Sequence, residues 1–577
     1  MVFFHRLGQI IPIDIFYALQ QGEKVISKNM RRTLIIGLVA VVVHCFLFVG
    51  CNGESQDNAE TLDSIATVTP IPISTSVAIE RDADNIMALD IASPDQPWNY
   101  DVHQSLSSSL HLIGSGLVYS RLLRFKPNTN SADLGSIVEC DLCSDWVQID
   151  QTTYRFTLRD GARWHNIAPL DGRLVTVEDL VYSYQRQKTE GWPNAGLLQN
   201  VSDVVKINDA VLEIRTHVPD ADFVLSVAAG QSKIVPVEVQ SSYEDVIAKG
   251  PVGTGPWVFV RGGTSDQHVL ESNPLYYEAG LPKMDVLRIS VIPDQTVRFS
   301  SMAVGEVDFV DLTAEQAQTL RKREGQFGVV TVPYVGHGME FVLNTSKRPL
   351  DSLEARQTIF QTIDPWRYSE LYWPDQIFNG LGFPARHTSW QMTDEELRAY
   401  VGKSSDREHI FDFSGTELTL SVGNYGTDFT NLAEEIVNDL RAAAISVSAE
   451  RISITEYVEM AKGQGSYDMY LGPSVPLLTP NQYFFGVLHS EGTYNASKYK
   501  DPGLDLLIEL QAQEINPLSR TSVIKEIDRR AMHSATRLMV ATDNLYWGWD
   551  GTLRGVSMNP RAQEYFHYAY FSWDTTQ

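Results

Sequence analysis

Basic side chains are scarce in this chain of 577 residues. Lys and Arg number 46 against 72 Asp and Glu, so the formal net charge is −26. A general nucleic-acid binder needs a basic face, and broad adhesion to anionic lipid headgroups needs basic clusters. The composition argues against both classes, and no nucleic-acid partner is expected.

Cysteine is also scarce, with four residues in all. Cys45 lies inside an apolar run and Cys51 directly follows that run. The other two, Cys140 and Cys143, stand in "ECDLCSDW". A C-x-x-C pair can be a redox motif or half of a zinc site. No second Cys/His pair stands at zinc spacing, and thiols outside the cell tend to oxidise, so the pattern favours a local disulfide.

The usual sequence patterns of enzymes are missing. There is no G-x-S-x-G elbow and no H-E-x-x-H, and the glycines of "GPVGTGPW" do not form a G-x-x-x-x-G-K-[ST] phosphate loop. Glu178 and Asp179 near His165 resemble an acid/base set, but their positions fit the capping of a helix better. His103 and His337 each stand alone, so no metal site is predicted. We expect a protein that is not an enzyme and has no cofactor.

The amino-terminal segment has the plan of an export signal. Arg31 and Arg32 precede an uncharged run from Thr33 to Gly50, and Cys51 follows. The ending "FVGC" resembles a bacterial lipoprotein signal, in which the Cys is lipidated. The alternative is an uncleaved transmembrane anchor, because a run of 18 residues is just long enough to span a bilayer. Both place the body of the chain outside the cytoplasm, and we expect a lipid anchor at the cell membrane.

The rest of the chain is too long for one hydrophobic core, which predicts two or three domains. Residues 51–84 are rich in Ser, Thr, Asn, Asp and Pro and predict a flexible tether. "QTTYRFTL" alternates apolar and polar residues and predicts a half-buried antiparallel strand. Thr176 with Asp179 three positions on predicts a capped helix start. Strands alternating with helices after Pro333 predict a second α/β lobe.

Six motifs in order carry a family resemblance. They are "FTLRDGARWH…VTVEDLVYSYQR", "GPVGTGPWVFV", "ESNPLYY", "VGEVDFVDL", "FVLNTSKRPLDSLEARQTIFQTID" and "YNASKYKDPGLDLLIELQAQ". Together they resemble the extracellular solute-binding proteins of the peptide/nickel class (family 5) that serve ABC importers. The resemblance covers roughly residues 85–560.

This resemblance implies an α/β, two-lobed venus-flytrap fold with an extra N-terminal subdomain. The implied organisation is a leader at 1–50, a tether at 51–84, an N-terminal lobe at 85–332 with its extra subdomain at about 116–205, a C-terminal lobe at 333–545, and a return segment at 546–577. Lobes that hinge closed can enclose one small solute.

Aromatic residues are the predicted ligand contacts. Trp98 and Tyr100 follow the first predicted strand, and Tyr470, Tyr483 and Phe484 lie in the second lobe. Each can stack on a ligand, and each can equally be a core side chain. Asp95 and Asn99 lie near the same first-lobe position.

One departure from the family pattern bears on the ligand. Peptide-binding members resembling this chain place a Trp and then an Asp after the "Tyr-Asp-Met" strand, and that Asp pairs with the ligand's α-ammonium. Here Pro473 and Pro476 stand near those positions. An enclosed ammonium without a carboxylate is costly. Peptides with a free amino terminus are therefore expected to bind poorly.

The implied function is capture of a small, peptide-like or related solute and its delivery to an ABC permease and ATPase. We expect a monomer. The alternative is a ligand-sensing binding module that reports to a signalling partner.

Overall fold

The computed structural model divides the chain into Met1–Glu80 and a compact unit, Arg81–Gln577. It describes residues 86–96, 99–105, 107, 110, 115–126, 138–262, 267–323, 325–372, 378, 380–381, 390–402, 411–475, 477, 479–556 and 566–574. The predicted leader and tether, Cys51, Trp98 and Pro476 lie outside the described residues. Within the described ranges no helix is long and apolar enough to cross a membrane.

Strands and helices alternate along most of the described chain. The strands are β1 (Ala88–Ser93), β2 (Leu123–Phe125), β3 (Val138–Cys140), β4 (Cys143–Gln148), β5 (Thr153–Leu158), β6 (Val201–Lys206), β7 (Val211–Thr216), β8 (Trp257–Arg261), β9 (Gln267–Ser272), β10 (Val286–Val291), β11 (Phe309–Leu312), β12 (Phe327–Leu343), β13 (Glu417–Gly423), β14 (Ser446–Ile452), β15 (Met469–Pro473), β16 (Arg537–Asp550), β17 (Leu553–Arg554) and β18 (Ser572–Trp573).

The α-helices are α1 (Val177–Gln187), α2 (Phe223–Ala228), α3 (Val239–Tyr243), α4 (Gln295–Ala303), α5 (Ala314–Arg321), α6 (Leu353–Thr362), α7 (Pro365–Tyr372), α8 (Asp394–Leu397), α9 (Thr427–Ala442), α10 (Ile454–Ala461), α11 (Pro480–Tyr483), α12 (Pro502–Gln513) and α13 (Pro517–Ser534). Single turns of 3₁₀ helix lie at Ser115–Val118, Ala195–Leu198 and Phe566–Tyr570, and π-helical turns at Glu244–Ala248 and Phe484–Leu488.

One ten-stranded sheet runs through both lobes. Its order is β14-β13-β15-β12-β16-β11-β1-β10-β9-β8. β12 and β16 are the two long strands that pass from one lobe to the other. Near Phe327 and Asp550 they pair with each other beside β11, and near Leu343 β12 pairs with β15. The register is irregular between Pro333 and Gly338, and the predicted lobe boundaries at 332/333 and 545/546 fall on these two strands.

The hydrophobic core is divided in the same way. The first core contains residues of β1 to β11 and, from the end of the chain, Tyr568 and Phe571. The second core contains residues from Met339 to Ala541. The end of the chain therefore packs on the first lobe, while β12 to the start of β16 build the second.

A separate antiparallel sheet has the order β4-β5-β7-β6, and most of its strands lie in the range predicted for the extra subdomain. In β5, Tyr154, Phe156 and Leu158 are buried and alternate with half-buried or exposed residues, which confirms the predicted half-buried strand. β7 pairs with both β5 and β6, so this sheet extends beyond residue 205 to Thr216.

Candidate ligand-binding site

The carboxylate of Asp179 accepts hydrogen bonds from neighbouring groups of the same lobe. Thr176 and Asp179 form the predicted capping box at the start of α1. Arg173 donates to both oxygens at 2.7 and 2.8 Å, and Trp164 Nε1 donates at 3.2 Å. Burial alone raises the pKa of Asp179, but the hydrogen bonds and charge of Arg173 outweigh it, so the pKa lies below its ordinary value. This carboxylate therefore caps a helix and anchors the neighbouring loops.

His165 and His103 are both buried and neutral. His165 Nδ1 accepts from the backbone N–H of Gly253, and its Nε2 lies 3.2 Å from the carbonyl of Gly255. Burial lowers the pKa of His165 to about 4. His103 Nε2 lies 2.9 Å from the carbonyl of Lys233, and burial lowers its pKa to about 4 as well. The side chain of His337 lies outside the described residues.

The strand ends of the two lobes face each other across β12 and β16. In the first lobe, β1, β10 and β11 run parallel, and β11 pairs with Trp549 at its start and Tyr546 at its end. Their carboxyl ends therefore point along β16 towards the second lobe. In that lobe β13 and β15 run parallel, and β15 ends opposite Met339. Met339 lies next to the irregular stretch of β12 between Pro333 and Gly338, which we call the crossing segment. Ligands of open α/β sheets bind outside the carboxyl ends of strands, which places the candidate site here.

On the first-lobe side, the predicted contact Tyr100 is buried. Its ring packs 5.2 Å from Phe259 and 6.3 Å from His268 between centroids. Asp95 lies just after the end of β1, where burial raises the pKa of its carboxyl group. Asn99 Oδ1 accepts from the N–H of Asp101 at 3.0 Å, so its side chain shapes the loop.

On the second-lobe side, the predicted contact Tyr470 bonds to a buried carboxylate. Its hydroxyl donates to Glu340 Oε1 at 2.9 Å. Arg537 Nε lies 3.7 Å from Glu340 Oε2, and Arg537 Nη1 has no hydrogen-bond partner among the described residues. Burial raises the pKa of Glu340, and the charge of Arg537 and the Tyr470 hydroxyl oppose that rise. Tyr470 is therefore part of a buried polar cluster, which consists of Glu340, Tyr470 and Arg537.

Tyr483 and Phe484 are buried in the second core. The Tyr483 hydroxyl donates to the carbonyl of Leu381 at 2.7 Å, and the two rings meet edge to face at 5.9 Å. Burial raises the pKa of Tyr483. In this arrangement both side chains pack the second lobe, and the structure does not bring them together with Tyr100.

Neither Tyr425 nor Tyr457 was predicted from the sequence as a ligand contact. Tyr425 lies two residues after the end of β13, at the candidate site, is 36% exposed, and packs edge to face on Tyr457 with 5.3 Å between the ring centroids. The Tyr457 hydroxyl donates to the carbonyl of Pro473 at the end of β15. The sequence contained a signal for Tyr425, because "GNYG" places an aromatic residue within two positions of the end of a strand. Glu340 and Arg537 were also signalled, as lone charges within apolar strand sequences.

The end of β15 carries no charge where it is described. Pro473 is half-buried, and the N–H of Ser474 donates to the carbonyl of Gly338 at 2.9 Å. Val475 and Leu477 follow. Elsewhere, a disulfide joins Cys140 at the end of β3 to Cys143 at the start of β4. In the described part of the chain, no group of three or more His, Cys, Asp or Glu side chains is placed to hold a metal ion.

Residues 138–496 match the sequence model described as Bacterial extracellular solute-binding proteins, family 5 Middle. The chain is 25% identical over 517 residues to the probable di/tripeptide-binding protein 5 of Pseudomonas aeruginosa, with 83% of this chain and 94% of that protein covered. It is 26% identical over 513 residues to heme-binding protein A of Haemophilus influenzae, with 82% and 90% covered.

Among solved structures, the ABC transporter substrate-binding protein CtaP of Listeria monocytogenes is 18% identical, with a TM-score of 0.71, and covers 85% of this chain and 99% of that chain. This likeness shows a shared fold. The predicted two-lobed α/β fold is thereby confirmed.

Proposed function

Because the chain belongs to the bacterial extracellular solute-binding proteins, family 5, we propose that it captures one small solute between its two lobes and delivers it to the permease and ATPase of an ABC importer. A solute that contacts both lobes favours the closed arrangement, and a permease that prefers this arrangement receives loaded protein. The body of the protein then works outside the cytoplasm, as a binder and not as an enzyme.

This proposal rests on the strand ends of the two lobes, which face each other across β12 and β16. Among the described residues, the two long strands are the only elements of the ten-stranded sheet that pair within both lobes. Lobes joined in this way can rotate about the crossing segment without breaking either hydrophobic core. A solute held between the carboxyl ends of β1 and β15 is enclosed by that rotation.

For the solute we propose a peptide-like molecule without a free α-ammonium group. One relative is named for di- and tripeptides, which supports the peptide class. The described residues at the end of β15, from Pro473 to Val475 and Leu477, offer no carboxylate to an ammonium group. In the same lobe Glu340 already faces Arg537 and Tyr470. Burying an unpaired ammonium costs several kcal/mol, so such peptides lose affinity.

Thermal denaturation with a panel of solutes tests both parts of this proposal. We expect one class to raise the midpoint, because a solute at 100 times its Kd stabilises the native state by about 2.7 kcal/mol. The panel pairs free tripeptides with their N-acetylated forms and adds haem and nickel chelates. A panel without any shift would contradict solute capture. Equal shifts for free and acetylated tripeptides would contradict only the proposed lack of an ammonium partner.

We also propose that lipid on Cys51 anchors the protein. The order of Arg31, Arg32, an apolar run and Cys51 supports it. Two or more acyl chains hold a protein stably at a membrane, whereas one chain binds marginally. The acidic body, repelled by an anionic surface, then stays in water and functions as a monomer.

Replacing Cys51 by alanine is expected to move most of the protein from the membrane fraction to the soluble fraction of the exporting cell. The loss of the acylation site removes the anchor, while Cys45→Ala, inside the apolar run, leaves the distribution unchanged and serves as the control. Fractionation followed by immunoblotting measures both. A Cys51→Ala protein that stays with the membrane would favour the uncleaved anchor.

A further inference from the structure

The two lobes make a second contact that involves neither β12 nor β16. On the first-lobe side it is formed by Asp220–Asp222, directly before α2, whose Phe223 and Val227 lie in the first core. On the second-lobe side it is formed mainly by Arg520 in α13, whose Ile524 lies in the second core. We call this the interlobe contact.

Its centre is a buried ion pair. Arg520 Nη2 lies 2.7 Å from Asp222 Oδ1, and the two side chains are 5% and 3% exposed. The N–H of Asn481 donates to the other oxygen, Asp222 Oδ2, at 2.6 Å. Arg520 Nη1 donates to the carbonyl of Ala221 at 3.1 Å, and its Nε donates to Gln511 Oε1 at 3.2 Å. Both carboxylate oxygens and all three guanidinium nitrogens are therefore engaged.

Backbone and amide groups extend the contact on either side of the ion pair. The N–H of Ala221 donates to the carbonyl of Ala512, at the end of α12, at 2.9 Å. Asn481 Nδ2 donates to Asp220 Oδ1 at 3.3 Å. Two donors of the second lobe, Arg520 and Asn481, thus converge on a carboxylate pair of the first.

A rotation that moves the lobes apart at this contact breaks it, because the contact involves neither of the two strands that join the lobes. α13 leads through a short turn into β16, which runs back towards the first lobe, so the amino-terminal half of α13 is the half nearer that lobe. Such a rotation would part Arg520 from Asp222 and return both charges to water.

We infer that Asp222 and Arg520 are positioning residues that hold the two lobes in the arrangement described here and set the fraction of molecules that adopt it. The attraction within a buried ion pair offsets much of the cost of removing its two charges from water, so the pair adds little net stability. Its main effect is to favour the one arrangement of the lobes in which the two charges meet. Without Arg520, Asp222 is buried with no cation beside it in this arrangement but is hydrated once the lobes move apart. The equilibrium then shifts towards molecules whose lobes have moved apart, and the apparent affinity for a solute that needs the described arrangement falls with the population of that arrangement.

The test compares the full chain with its Arg520→Gln, Arg520→Lys and Asp222→Asn variants in contrast-matched detergent by small-angle neutron scattering, without added solute. Arg173→Gln is the control, because Arg173 makes a bidentate pair with the buried Asp179 inside the first lobe. We expect a larger radius of gyration for Arg520→Gln and Asp222→Asn than for the control and wild type, with Arg520→Lys in between. Equal radii in all five proteins would overturn the inference.

A second readout uses a solute identified by the panel. We expect Arg520→Gln to release it about tenfold or more faster, while the control keeps the wild-type rate, because most changes in affinity appear in the dissociation rate. An unchanged rate would overturn the role in solute retention. This readout rests on the proposed function, whereas the scattering measurement does not. A panel that finds no solute therefore counts against capture and leaves the scattering result to decide the interlobe contact.

Discussion

Replacing Asp179 by alanine is expected to lower the free energy of unfolding by about 3–5 kcal/mol, because it leaves several buried donors without an acceptor and removes the cap of a helix. Arg173 loses both of its hydrogen bonds to the carboxylate, and Trp164 Nε1 and the N–H of Val237 lose their acceptor. The capping box of α1 is lost as well. Chemical denaturation followed by tryptophan fluorescence measures the difference.

Glu178→Ala is the matched control, because Glu178 is the neighbouring acid in the same helical turn but is largely exposed and pairs with Lys206 at the surface. A surface pair contributes about 0–1 kcal/mol, so a small loss is expected. A loss of under 1 kcal/mol for Asp179→Ala would contradict the structural assignment of this carboxylate.

The same variant has an expected pH dependence. The folded pKa of Asp179 lies below its ordinary value, so its contribution to stability is complete above the unfolded pKa of about 3.9 and is lost as the pH falls towards the folded value. The difference in stability between wild type and Asp179→Ala is therefore constant and at its largest from about pH 5 to 7. It shrinks below about pH 4. A difference that grows on acidification would contradict the depressed pKa.

Arg537→Ala is expected to cost about 3–5 kcal/mol at neutral pH, because it leaves Glu340 buried without its cation. The Tyr470 hydroxyl alone then stabilises the carboxylate. Adding Glu340→Gln to the same chain removes the buried charge and is expected to recover part of the loss. The control is Arg529→Ala, which removes a half-exposed arginine from a surface pair with Glu526 and should cost under about 1 kcal/mol.

Acid is expected to stabilise Arg537→Ala relative to neutral pH. Burial already raises the pKa of Glu340, and the loss of Arg537 removes the charge that opposes this rise. A folded carboxyl group with a raised pKa binds its proton more tightly than the unfolded one, so stability falls as the pH rises through the interval between the two values. A double variant no more stable than Arg537→Ala at neutral pH would contradict the buried-charge explanation.

Local features of the fold could be predicted from the sequence because a few neighbouring residues decide them. The alternation in β5 and the pairing of Thr176 with Asp179 are examples, and the structure confirms both. α13 was not predicted, although Asn516 and Pro517 form a clear start. It places Leu518 in solvent and buries Arg520, so its apolar stripe is weak.

The long-range features could not be predicted in the same way. Aromatic residues next to buried strands look alike in sequence whether they face a core or a cleft, and in this arrangement Tyr100, Tyr470 and Tyr483 are buried. The placement of Tyr425 follows from the parallel pairing of β13 and β15. Asp222 and Arg520 are separated by 298 positions, and no local pattern links them.

Isothermal titration with the solute class found by the panel, followed by mass spectrometry of the recovered solute, tests the central claim of solute capture most directly. We expect saturable binding with one solute per protein and the solute recovered unchanged. Absence of binding heat for every class, or recovery of a converted product, would contradict it.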